Sequence, residues 1–136
     1  MNSDGTAVQP SDRTEQWSVG RRWTPEIAER GFTPVAQVFL ESHARLGLSA
    51  TESLMLIHLF SFRWDNRAPH PSLGTLGKRL GLSQRSVRRM VCRLERLGFL
   101  KRVSRARTSN AYDVGGLLAA LEEIAQEPEP AERAVT

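Results

Sequence analysis

Between positions 82 and 102 the chain reads LSQRSVRRMVCRLERLGFLKR, and its arginines are the residues with most chemistry to offer. A guanidinium is always charged and presents a planar fork of donors suited to phosphates, carboxylates or a purine edge. Arg85, Arg88, Arg89, Arg93 and Arg96 alternate with Val87, Met90, Val91, Leu94 and Leu97, which recur every three or four residues. That spacing predicts a helix with one apolar face and cations on the remainder. Like charges at helical spacing repel by about 0.2–0.5 kcal/mol per pair. Such crowding is unfavourable unless a counter-charge relieves it.

The charge is segregated as well as crowded. The chain carries 19 basic and 15 acidic residues, for a net charge of +4. Segment 78–107 alone holds eleven cations (Lys78, Arg79, Arg85, Arg88, Arg89, Arg93, Arg96, Lys101, Arg102, Arg105 and Arg107) against Glu95, a local charge of +10. The eight basic and fourteen acidic residues elsewhere sum to −6. A chain that needed only solubility would mix its signs, so a polyanionic partner is expected.

Other chemistries fail on residue type and spacing. GTLGKR has two residues rather than four between its glycines and no Ser or Thr after Lys78, so it is not a phosphate-binding loop. His43, His58 and His70 lack metal-ligand spacing, and Cys92 has no cysteine partner, so no metal is expected. A redox role for Cys92 would require thiolate character. No nucleophile–base set is legible, so neither catalysis nor a cofactor or small-molecule ligand is expected. The single cysteine suits a reducing compartment. MNSDGTAVQPSDR is no signal peptide, and LMLIHLF is too short to span a bilayer. The expectation is a soluble, cytoplasmic, nucleoid-associated protein of prokaryotic or mobile-element origin, without a membrane partner.

A chain of 136 residues with 40% hydrophobic and 25% charged residues fits one globular domain. Residues 1–22 read as a flexible arm that Trp17 and Trp23 are able to dock in part, 23–126 as the domain, and 127–136 as a disordered tail. A first helix is predicted from Pro34 to Leu46, stopped by Gly47. Ser49 and Glu52 form a capping box for a second, apolar on most sides, running to Trp64. Pro69 and Pro71 impose a loop, then Ser72 caps a short helix over LGTLGKRL. Gly81 ends it, and Ser83 caps a fourth helix that runs to Leu97 and Gly98. Two short extended runs around SRARTS read as a hairpin over 99–114. A last helix, 117–126, follows.

Helix, tight turn, capped helix and basic hairpin form the order of a winged helix-turn-helix, a mainly α fold with a small β-hairpin wing. The residues Pro71-Ser72, Gly81-Leu82-Ser83, Arg85-Ser86-Val87, Leu94-Glu95-Arg96-Leu97-Gly98 and Ser109-Asn110-Ala111-Tyr112 strengthen this. With them, residues 31–115 resemble the winged-helix domains of phage- and plasmid-associated helix-turn-helix proteins. The resemblance implies binding of double-stranded DNA, by transcriptional regulators or by parts of replication initiators. The acidic-and-arginine wing pattern of drug-responsive winged-helix repressors is missing from SRARTS. The further domain of replication initiators is not expected after Tyr112, which favours a regulator or accessory factor.

A helix about 10–12 Å across fits the major groove, and its first turns meet the base edges. Gln84, Arg85, Ser86, Arg88, Arg89 and Arg93 are therefore the candidate recognition residues, with Arg93 and Arg96, further along, equally open to a phosphate or to pairing with an acid. Ser72, Thr75, Lys101, Arg102, Arg105 and Arg107 are candidates for the backbone or minor groove, while Asn110 and Tyr112 are expected to hold the hairpin to the core. Leu117, Leu118, Leu121 and Ile124 make a stripe that could pack on the first helix or on a second subunit. A homodimer reading two half-sites is expected. A winged helix serving only as a module for an acidic protein partner is the reading from another class.

Overall fold

The computed structural model describes residues 22–62, 71–103 and 111–128. It divides into two compact units, one ending at Pro34 and the other beginning at Val35. The described part of the first contains α1 (Pro25–Ala28), where Thr24 Oγ1 accepts from the Ile27 amide at 3.3 Å. Trp23, Ile27 and Phe32 are exposed there.

The second unit holds α2 (Gln37–Ser42), α3 (Ala50–Ser61), α4 (Leu73–Leu80), α5 (Gln84–Arg96), β1 (Lys101–Val103), β2 (Ala111–Asp113) and α6 (Gly115–Ala125). This is the winged helix-turn-helix fold. The strands pair antiparallel with Lys101 opposite Asp113, Arg102 opposite Tyr112 and Val103 opposite Ala111. Helices α4 and α5 pack together, α4 packs on α3, and α6 packs on α2. No described helix is long and apolar enough to cross a membrane.

Helix α3 starts where its sequence requires. Ser49 Oγ accepts from the Glu52 amide at 3.0 Å, and the Glu52 carboxylate accepts from the Ser49 amide at 2.9 Å. Such a cap is worth about 1 kcal/mol, whereas burying a Leu or Met side chain contributes about 1.5–3 kcal/mol. Met55, Leu56 and Leu59 are fully buried, so packing holds the helix and the cap sets its first residue. Leu54 is exposed, so α3 is less encircled by apolar contacts than its sequence suggests.

The core joins Phe39 of α2, these α3 residues, Leu76 of α4, Val87, Val91 and Leu94 of α5, Tyr112 of β2, and Leu117 and Leu121 of α6. Helix α1 stands where the sequence predicts no helix, and two of the predicted helices differ in their bounds. Helix α2 covers 37–42 rather than 34–46: its first residue follows Ala36, which supplies no side-chain cap, and residues 43–47 form turns ending at Gly47 with φ +85°. Helix α6 begins at Gly115, where the Asp113 carboxylate accepts from the Gly115 amide at 2.8 Å. Leu97, expected inside, is 40% exposed just after α5.

Leu117 and Leu121 lie at 0% and 6% exposure within the chain's own core. Of the two surfaces open to this stripe, Leu117 and Leu121 therefore take the chain's own α2 and are not available to a second subunit. Leu118 is exposed and Ile124 half-buried.

Candidate nucleic-acid interface

The turn between α4 and α5 is set by glycines. Gly81 takes φ +71°, a conformation that strains residues bearing a Cβ. The Leu82 amide then donates to the Gly77 carbonyl at 2.9 Å, wrapping the end of α4. A Cβ on Gly77 would lie 2.6 Å from the Leu82 carbonyl oxygen, so Gly77 is what lets the chain turn back so tightly. The sequence drew attention to Gly81 alone; LGKRL offers no signal for the second close approach.

Both helices of the pair are capped by serine. Ser72 Oγ accepts from the Thr75 amide at 3.0 Å and donates to Thr75 Oγ1 at 3.0 Å. Ser83 Oγ accepts from the Ser86 amide at 3.1 Å and donates to Ser86 Oγ at 3.2 Å. Ser72 and Thr75 are exposed and Ser86 is half-buried. Gln84 lies across the first turn of α4, its Nε2 3.1 Å from the position a Cβ on Gly74 would take. The two helix N-termini therefore adjoin, with their hydroxyls and one amide side chain at the surface.

Val87, Val91 and Leu94 fix the rotation of α5 by facing the core. On a period of about 3.6 residues, Arg85, Arg89 and Arg96 then stand opposite that face. Arg88 lies on the flank shared with Glu95, and Ser86 and Arg93 on the other. Arg85, Arg88, Arg89 and Arg96 are exposed. Among the described residues, none of these four has an ion pair or a side-chain hydrogen bond. Lys101, on β1, is exposed as well.

Two expected contacts are engaged differently. The Arg93 guanidinium donates to the Glu52 carboxylate and, at 3.1 Å, to the Gly47 carbonyl. It ties α5 to the start of α3, so of the two partners open to Arg93 in sequence, a phosphate or an acid, the structure engages the acid. The physical reason is its place: one turn beyond Arg89, it faces a carboxylate that is only 5% exposed. Burial raises the Glu52 carboxyl, but the Ser49 amide and Arg93 outweigh it and hold the group below the usual carboxylate range. Ser86, Arg89 and Met90 join this pair around a shallow groove of about 280 Å³.

Arg102, expected at phosphate, instead makes a two-pronged contact with Glu95. Its Nε and Nη2 each donate to one carboxylate oxygen at 3.0 Å. The contact keeps Glu95 below the usual carboxylate range. Neither partnership was legible in sequence, since the pairs are separated by 41 and seven residues. That Glu95 is the one acid in a segment with eleven cations was the available signal. Tyr112 is 2% exposed in the core, and burial pushes its phenol up. Asn110, Arg105 and Arg107 lie outside the described residues.

Other polar contacts stabilise the fold around this surface. The Ser53 hydroxyl donates to the Ser49 carbonyl at 2.8 Å. Its single hydrogen is thereby committed, so His43 Nδ1, 3.1 Å away, is the donor in the Ser53–His43 contact. Arg79 donates to Ser61 Oγ at 3.0 Å and stacks 4.3 Å over the Phe62 ring, fixing the end of α3 to α4. No group of His, Cys, Asp and Glu that could hold a metal occurs among the described residues.

Residues 46–100, which span α3 to the end of the α5 turn, match the family model of a helix-turn-helix domain. Among solved structures, the N-terminal domain of DnaD protein from Geobacillus kaustophilus HTA426 is similar with a TM-score of 0.58 and 24% identity. The match covers 76% of this chain and 90% of that one. AbfR of Staphylococcus epidermidis gives a TM-score of 0.43 at 22% identity, over 90% and 86% of the two chains. The transcriptional regulator PA3341 gives 0.42 at 20% identity, over 90% and 88%. At these identities the DnaD likeness is one of fold. No curated protein matches the chain.

Proposed function

We propose that the chain binds double-stranded DNA sequence-specifically, with α5 in the major groove and the β1–β2 wing against the flanking backbone, as a transcriptional regulator without enzymatic activity. The observation that carries the reading is the set of exposed arginines on α5, positioned opposite its buried face and without an anionic partner among the described residues. The surface they form needs a repeated anion at close spacing, and duplex DNA supplies one charge per about 1.7 Å of axis. The helix-turn-helix match over 46–100 supports the same reading.

In this proposal Gln84, Arg85, Arg88 and Arg89 meet base edges, in the first turns of α5 where such contacts concentrate. Ser72, Thr75, Ser86 and Lys101 meet phosphates, as do Arg105 and Arg107 of the wing. A homodimer placing two α5 helices on successive half-sites remains part of the proposal, with the exposed Leu118 of α6 and the uncovered part of Ile124 available to its interface. The cytoplasm of a prokaryote is the compartment proposed with it. Selection of bound sequences from a random duplex pool tests the proposal. A shared motif of a few base pairs is expected, and recovery of unselected sequences would reject specific recognition.

A further inference from the structure

We propose that Glu95 is a positioning residue: through Arg102 it fixes the wing to the recognition helix. The inference rests on the DNA-binding reading above and adds to it the residue that sets the wing's pose.

The strand that needs fixing is β1. All three of its residues, Lys101 to Val103, are exposed, whereas Ala111 and Tyr112 of β2 are buried. A two-stranded hairpin is marginal in water without further support. β2 receives that support from the core, where Tyr112 packs, but β1 buries no side chain of its own. Leu100, just before β1, is anchored in the core. β1 itself is tied to the rest of the described protein by its ladder to β2 and by Glu95, which pairs with the Arg102 fork and also takes a hydrogen bond from the Arg102 backbone. Arg102 lies directly opposite Tyr112, and cross-strand partners project from the same side of a hairpin. Its stem therefore runs over the buried ring while its fork reaches the last turn of α5.

The pairing is two-pronged, with both oxygens of Glu95 accepting at 3.0 Å. A planar fork on a carboxylate fixes direction as well as distance. The side chains are only 28% and 36% exposed, so solvent screens them partially. Electrostatics alone would make Glu95 an obstacle, because it adds a negative charge to the face that must meet a polyanion. Its position explains its presence. Without it, β1 and the Lys101 side chain beside it lose their fixed relation to α5, and the wing and helix no longer approach the duplex as one surface.

The test uses the full chain with Glu95→Gln, Arg102→Ala and the exchanged pair Glu95→Arg with Arg102→Glu. Two readouts are taken: amide hydrogen exchange of 101–103 and 111–113 in the free protein, and affinity for a selected and a random duplex at fixed salt. Glu95→Gln should speed exchange in β1 at least about tenfold while leaving α3 protected. It should weaken binding of the selected duplex about five- to tenfold despite removing a negative charge. Random-duplex binding should be unchanged or stronger. The exchanged pair, with net charge preserved, should recover most of both effects.

Unchanged β1 exchange in Glu95→Gln would overturn the inference, whatever the DNA result. Tighter binding of both duplexes would overturn it too, as would a large loss in Arg102→Ala without any in Glu95→Gln. Failure of the wild-type chain to bind duplex would instead reject the DNA-binding reading, and the exchange experiment would still decide whether Glu95 fixes β1.

Discussion

Arg93 on α5 and Glu52 at the first turn of α3 form an ion pair, and the same guanidinium also closes on the Gly47 carbonyl before that turn. An arginine whose sequence left it open to a phosphate or an acid is therefore a brace between the central helix of the core and the candidate recognition helix. Removing Arg93 leaves the buried Glu52 charge poorly solvated, a costly outcome. Arg93 is itself 42% exposed, so solvent repairs part of that loss.

Arg93→Ala should accordingly cost about 1–2 kcal/mol of stability, read by denaturant titration. Its duplex affinity, measured where the variant is fully folded, should fall less than about threefold. An affinity loss equal to that of Arg88→Ala would return Arg93 to the DNA surface.

Glu52 makes this brace acid-sensitive. Its folded carboxyl titrates below the ordinary 4.5, so the unfolded chain takes up the proton first on acidification. The contribution is complete above the unfolded value and is lost as pH falls through the folded one. Stability of the wild type and of Glu52→Gln should differ at pH 7 and converge below about pH 4. Parallel curves down to acid would contradict the pairing.

His58 adds a component at higher pH. Burial, and then the charge of Arg79, hold its imidazole below 6.5, so the folded state favours the neutral ring. That contribution is present above the unfolded value and is lost as pH falls through the folded one. His58→Gln should flatten the decline in stability below about pH 6.5. An unaltered profile would remove His58 from the account.

Gly116 tests the packing of α6. A Cβ there would stand 1.8 Å from the Gly98 carbonyl oxygen, a backbone atom with no rotamer to yield. Gly116→Ala should destabilise by about 3 kcal/mol or more. At Gly115 the nearest neighbour is the Asp113 carboxylate, at 3.0 Å; that side chain can rotate away, and Gly115→Ala should cost under about 1 kcal/mol. Thermal melts of equal midpoint for the two variants would show that the helix start shifts freely.

Arg88 and Lys101 should separate reading from gripping. Arg88→Ala should lose about 1–3 kcal/mol at one base position and relax the preference there. Lys101→Ala should weaken selected and random duplexes alike and reduce the salt slope by about 1. Equal losses across sequences for both variants would count against direct reading by α5.

Local signals were the legible ones. Capping serines at 49, 72 and 83, the glycine at 81 and the apolar period of 87–94 each act within a few residues of chain, and the corresponding helices form where those signals stand. Side-chain partnerships across elements were not legible, because the same arginine type serves an exposed face at Arg85 and a brace at Arg93. Choosing between them requires knowing that Glu52 faces α5. The stripe of α6 shows the same limit: periodicity marks Leu117 and Leu121 as a buried face but is silent on whether the covering surface is α2 or another chain. Gly116 carries no sequence signal beyond following Gly115, since its close contact is made by a backbone carbonyl 18 positions earlier.

The central claim is that the exposed arginines of α5 and the wing cations meet the phosphates and bases of a duplex. It is tested most directly by titrating the full chain against a selected duplex over a range of salt concentrations. With four or more phosphates neutralised, log K should fall against log salt with a slope of about −3.5 or steeper, at roughly −0.9 per contact. A slope near zero, or no binding at low salt, would contradict the claim.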